Sequence, residues 1–198
     1  MPQPTRILLP WLTLALAVPL HCLAEDPSID TTIVLVRHAE KDRSNPTDND
    51  PRLTEEGHAR AQALVHTLGN AGIDSVYSTP YRRTRDTARP LAKHLGIGLE
   101  RAPVGNHAKG MAKRIRDRHA GQTVLVVGHS NTTPELARAL GIASPPVIED
   151  HVYDQLWVIK LPADTDSAPS LLRLRYGAPT SEEEGEESGE GGASNPAS

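Results

Sequence analysis

Cysteine is all but missing from this 198-residue chain, whose single copy, Cys22, lies near the N-terminus. Cleavage after Ala24 would remove it. The mature protein is then expected to have no disulfide framework, no thiolate nucleophile and no cysteine metal site. Net charge is missing too. Between Glu25 and Thr180 there are 20 Lys and Arg against 19 Asp and Glu. A body this close to neutral makes no case for a nucleic-acid partner. Metal-ligand spacing is equally lacking. His58, His66, His94, His107, His119 and His151 form no H-x-x-x-H pair with a glutamate nearby, so neither a metal nor another cofactor is expected.

The two ends read differently from the body. Arg6 supplies a positive start, Ile7 to Leu20 an apolar stretch, and His21-Cys22-Leu23-Ala24 puts small residues at −3 and −1 before Glu25. That is the layout of a cleaved secretory signal over residues 1–24, implying a periplasmic or secreted protein with no stable membrane anchor after cleavage. An uncleaved anchor is the alternative, but the stretch falls short of the ~20 residues of a span and is interrupted by Pro10 and Pro19. At the other end, residues 181–198 read SEEEGEESGEGGASNPAS. With six glutamates and no large apolar residue, a disordered acidic tail is expected there. One domain is left, residues 25–180.

Within it, apolar periodicity switches repeatedly between two patterns. Thr32 to Val36 and Thr123 to Val127 are short runs rich in β-branched residues, as buried strands are. Ser75 to Tyr77, Leu156 to Leu161 and Leu171 to Tyr176 are further strand candidates. Thr54 can cap a helix in which Ala61, Leu64, Val65 and Leu68 recur on one face, with Gly69 past its end. Thr79-Pro80 reads as a cap and first-turn proline for a second helix ending at Gly96, with Pro90 expected to kink or divide it. A basic helix over 107–119 and another between Pro134 and Gly141 complete the alternation. The fold expected is α/β, a three-layer sandwich with a mainly parallel central sheet flanked by helices.

Three polar clusters follow strands: Arg37-His38, Arg82-Arg83 and Gly128-His129-Ser130-Asn131. In an open parallel sheet, ligands bind at the carboxyl ends of strands, so these clusters should converge. Arginine presents a fixed fork of donors to phosphate oxygens. A neutral imidazole can attack phosphorus, and a second, protonated one could stabilise the equatorial charge.

The motifs have a family resemblance. Leu35-Val36-Arg37-His38-Ala39-Glu40 resembles the RHG signature of the histidine phosphatase superfamily, the phosphoglycerate mutase-like group, with Ala39 in place of the usual glycine. Ser78-Thr79-Pro80-Tyr81-Arg82-Arg83 through Thr87-Ala88 resembles its second motif, S-[ST]-P-x-x-R-[AT]-x-x-T-A. Val126 to Ser130 resembles the third, and Leu53-Thr54-Glu55-Glu56-Gly57 is similar to the L-T-x-x-G that opens the first helix. The resemblance covers roughly residues 31 to 176, with the motifs in the family's order and spacing. The resemblance implies a phosphoglycerate mutase-like fold and a phosphatase acting on small phosphorylated substrates through a phosphohistidine on His38. Arg37, Arg83 and His129 would complete the phosphate pocket, with Asn131 lining it and Arg82, Arg85 and Arg89 on a solvated helix face.

The general acid does not carry over. Where some branches of the family have an aspartate after the second histidine, this chain has Ser130. Where others have a glutamate after the second motif, it offers Glu100 and then Asn106-His107. Glu40 occupies a position that is more often structural. Two other readings stay open. One is a pseudophosphatase that binds a phosphorylated ligand without turnover. The other is a serine hydrolase with Ser130 in a near G-x-S-x-G elbow and Asp150 and His151 downstream. Neither substrate identity nor oligomeric state is legible.

Overall fold

Strand β1 (Thr31–Arg37) carries large apolar side chains on both faces, the pattern of a strand at the centre of a doubly covered sheet. Successive side chains alternate, so Ile33 and Leu35 enter one core while Val34 and Val36 enter the other. A computed structural model describes residues 29–103, 107–164 and 166–180. The expected signal peptide, the acidic tail and Asn106 lie outside the described residues.

The remaining elements are α1 (Glu55–Leu68), β2 (Ser75–Ser78), α2 (Arg82–Leu95), β3 (Leu99–Arg101), α3 (His107–Arg118), β4 (Thr123–Gly128), α4 (Thr132–Ala139), β5 (Gln155–Leu161) and β6 (Ser170–Arg175). The six strands form one sheet in the order β3-β2-β4-β1-β5-β6. The first four in sequence pair in parallel, and β5 and β6 join antiparallel. Helices α1 and α2 cover one face through Leu64, Leu68, Ala88 and Leu91. Helices α3 and α4 cover the other through Met111, Ile115, Leu136 and Ala137. This is the expected phosphoglycerate mutase-like three-layer α/β sandwich. Among the described residues, no helix is long and apolar enough to cross a membrane.

Helix α1 begins as its sequence predicts. The Thr54 hydroxyl accepts from the Gly57 amide at 3.2 Å, and Glu55 and Glu56 face the positive end of the helix dipole. Helix α2 does not. Its N-cap is Tyr81, which makes no side-chain capping bond, and its first residue is Arg82. Thr79 and Pro80 therefore precede the helix, because the Thr79 hydroxyl is taken by Thr84 Oγ1 at 2.7 Å and by His129 Nε2 at 2.9 Å. The helix is not divided at Pro90 and runs through it to Leu95. Proline leaves the carbonyl four residues earlier without its donor and crowds it, a local cost that the rest of the helix outlasts.

What positions the site is strand register. Strand β4 lies between β1 and β2, with Arg37 opposite Gly128 and Ser78 opposite Val127. The residues that follow, His38, His129 and Thr79, thus emerge together at one edge of the sheet. The His38 amide continues the ladder by one bond, donating to the Gly128 carbonyl at 2.9 Å.

Candidate active site

His38 is 3% exposed, and its Nδ1 lies 2.8 Å from the Ala39 carbonyl. A carbonyl can only accept, so Nδ1 carries the proton and Nε2 carries the lone pair. Burial pushes the imidazole down to about 2, partly offset by the hydrogen bond to the Ala39 carbonyl, with Arg37, His129 and Arg83 also opposing its charge. A neutral ring of fixed tautomer is the reactive form of a histidine nucleophile. The Ala39 backbone is itself anchored, its amide donating to Thr87 Oγ1 at 2.9 Å.

His129 meets His38 edge to face, with centroids 5.3 Å apart. Its Nε2 is engaged by Thr79, while its amide donates to Thr132 Oγ1 at 2.9 Å. Burial, then Arg83 and His107, push its imidazole down to about 4. The second histidine expected to be protonated is therefore neutral in the ligand-free site. A bound anion would favour its charged form.

Two arginines supply the positive charge. Arg37 is buried, and its Nη1 donates to the carbonyls of Glu149 at 2.9 Å and Val152 at 3.0 Å. Its Nη2 donates to Asp150 Oδ1 at 3.2 Å, and its guanidinium stacks 4.2 Å over the Tyr153 ring. Arg83 stacks 4.3 Å over Tyr81 and donates from Nη1 to the Asn49 carbonyl at 3.4 Å. In both residues Nε is buried without a hydrogen-bond partner. Two buried guanidinium N–H groups lacking acceptors beside two neutral imidazoles suit an incoming oxyanion.

Arg37, His38, Arg83, His129 and Asn131 all line one cleft of about 370 Å³, so the sequence-predicted residues do come together. Asn131 sits at the start of α4 and makes no side-chain capping bond. Arg82 faces out and pairs with Asp50 at 3.7 Å, and Arg89 is exposed. Arg85 departs from the expected solvated face. It is half-buried, and its Nε has no partner, because it flanks the stripe made by Thr84, Thr87 and Ala88. Glu40 is structural in its contacts: its carboxylate takes Arg60 Nη2 at 2.6 Å and Nε at 2.9 Å. Glu100 lies against Tyr77 and does not line the cleft. Ser130 lines it, yet its hydroxyl donates to Asp150 at 3.3 Å and not to a histidine, the contact a serine nucleophile requires.

Lys41, Tyr81 and Asp150 also line the cleft. Asp150 and Tyr153 come from the loop between α4 and β5, more than a hundred residues from Arg37; the sequence marks Asp150 only for the serine-hydrolase reading, and no local pattern marks Tyr153. Thr79 had a signal in its motif, but the cap reading of Thr79-Pro80 concealed its bond to His129. Among the described residues, no group of three or more His, Cys, Asp or Glu is arranged to hold a metal ion.

With this geometry, the chain's likeness to known proteins is specific. The model of the histidine phosphatase superfamily (branch 1) matches residues 33–104, a match that supports that superfamily for this chain. Phosphoserine phosphatase 1 of Hydrogenobacter thermophilus is 28% identical across 50% of this chain and 70% of its own length. A protein named as a phosphohistidine phosphatase, SixA, from Nakamurella multipartitia is 25% identical, with 77% of this chain and 100% of that one covered at a TM-score of 0.55. The protein histidine phosphatase SixA complexed with tungstate shares the fold at a TM-score of 0.55 and 17% identity, over 73% of this chain and 96% of that one. The family match and the first two of these proteins support phosphatase activity.

Proposed function

We propose that this protein hydrolyses phosphate monoesters of small molecules through a phosphohistidine on His38, and that it does so in the periplasm or outside the cell. The bond from His38 Nδ1 to the Ala39 carbonyl carries the reading, because it leaves the Nε2 lone pair as the ring's nucleophile. Attack by Nε2 on phosphorus expels the alcohol and leaves the phosphoryl group on His38. Water then releases phosphate and restores the ring. Arg37 and Arg83 hold the equatorial oxygens, and His129 gains a proton as negative charge arrives beside it. The two relatives named for phosphoserine and phosphohistidine both act on phosphoryl groups, which is the chemistry this cleft suits. Export rests on the sequence of residues 1–24 alone.

Acid-quench labelling tests the mechanism. Mature protein mixed with an activated phosphate ester should carry acid-labile phosphate, and His38→Ala should carry none and lose turnover. Full activity in His38→Ala sinks the nucleophile. Binding of phosphate without turnover in the unaltered protein would favour the pseudophosphatase. Mass spectrometry of the exported protein should find Glu25 at its N-terminus.

A further inference from the structure

We propose that Asp150 is the proton relay of the reaction, a role that rests on the phosphohistidine reading above. Asp150 is the one carboxylate among the described residues that line the cleft of His38. Its Oδ1 sits 3.2 Å from Arg37 Nη2 and 3.3 Å from Ser130 Oγ. The carboxylate therefore adjoins a guanidinium suited to the phosphoryl group. Its side chain is 80% exposed, at the mouth of the site, where a leaving alcohol must depart and a water must enter.

Exposure would ordinarily mean poor positioning, but this loop is pinned. Arg37 holds the carbonyls of Glu149 and Val152, and Arg43 Nη2 donates to the carbonyl of Asp150 itself at 3.1 Å. Three carbonyls within four residues are thus tied to the segment that carries His38. The other acidic side chains considered from the sequence are committed elsewhere, Glu40 to Arg60 and Glu100 beside Tyr77. Ser130 follows the second histidine and reaches a carboxylate through space, 20 residues further on.

The ester enters as its monoanion, with one proton on a phosphoryl oxygen. As His38 Nε2 forms its bond to phosphorus and the ester P–O bond breaks, the Asp150 carboxylate takes that proton and passes it to the departing alkoxide, which leaves as the neutral alcohol. In the second step, water attacks phosphorus and the P–Nε2 bond breaks. Asp150 takes a proton from the water and returns it to the product, which leaves as dihydrogen phosphate while His38 is again neutral.

A relay matters in proportion to how badly the leaving oxygen needs a proton. The test is kcat/KM of Asp150→Asn on two esters, p-nitrophenyl phosphate, whose phenolate leaves unaided, and glycerol phosphate, whose alkoxide does not. The expected loss is at least a hundredfold on the alkyl ester and under tenfold on the aryl ester, since proton transfer contributes about 10²–10⁴ in rate. The variant should also release p-nitrophenol in a burst and accumulate phosphohistidine, because hydrolysis of the intermediate has lost its base. Equal losses on both esters would make Asp150 a support for Arg37 only and overturn the proposal. So would no loss on either, or the same leaving-group split in His107→Gln in place of Asp150→Asn. An unaltered enzyme that never labels would instead defeat the His38 mechanism itself.

Discussion

The rings of His38 and His129 stand edge to face at 5.3 Å and 67°, and His129 helps to keep His38 uncharged. The arrangement couples strand ends to chemistry. Parallel pairing of β1 with β4 fixes the spacing of the two rings, and burial at that strand end, aided by the guanidinium groups beside them, keeps them neutral.

That coupling has a pH signature. The free His38 imidazole is pushed down to about 2 and His129 to about 4, against about 6.5 in an unfolded chain. Between those limits the unfolded state binds more protons, so folding stability is fully present above about pH 6.5 and falls as pH drops toward 4. Thermal unfolding from pH 8 to 4 should show this decline, and His129→Asn should lessen it. Imidazole nitrogen resonances should show His38 still neutral at pH 5. A His38 midpoint near 6.5 would contradict the buried environment.

Arg83 and Arg82 separate function from surface. Arg83 lines the cleft with its side chain 14% exposed, whereas Arg82 is 49% exposed and pairs outward with Asp50. Removing a donor to transition-state charge costs ~3–4 kcal/mol, or 10²–10³ in rate. A solvated arginine contributes under about 1 kcal/mol. Arg83→Ala should therefore lose at least a hundredfold in kcat/KM and Arg82→Ala less than tenfold. The reverse order would place the phosphate on the wrong arginine.

Gly57 is required by contact, not by backbone freedom. A Cβ there would collide with the carbonyl oxygen of Glu40, directly behind the nucleophile's segment. Gly57→Ala should destabilise by about 1–3 kcal/mol, the usual cost of overpacking, although alanine is the better helix former. A denaturant midpoint equal to that of the unaltered protein would show that the segment can yield.

Arg60 is buried against Glu40 and donates from Nη1 to the Tyr176 carbonyl at 2.9 Å, tying α1 to β1 and the end of β6. Arg60→Ala strands the Glu40 carboxylate and should cost ~3–5 kcal/mol in denaturant unfolding. A loss below about 1 kcal/mol would mean that water replaces the arginine freely.

The alternation of elements was legible in the sequence because strand and helix have different apolar periods. Ile33 to Val36 and Val124 to Val127 have no polar face, and Ala61, Leu64 and Leu68 recur at helical spacing. Arg37, His38, Arg83 and His129 were legible for a related reason: each lies in a short motif bound to a strand end, so position within the motif already implies position in the fold. Four features were decided only in three dimensions: the start of α2 at Arg82, the half-burial of Arg85, the bond from Thr79 to His129, and the arrival of Asp150 beside Arg37. Local patterns report what a residue does with its neighbours in the chain. The Thr79 hydroxyl is taken by a histidine 50 positions away, and Arg37 is held by carbonyls more than a hundred positions away. Such contacts exist only once the sheet has brought its strand ends together, since only then do these groups come within hydrogen-bonding distance.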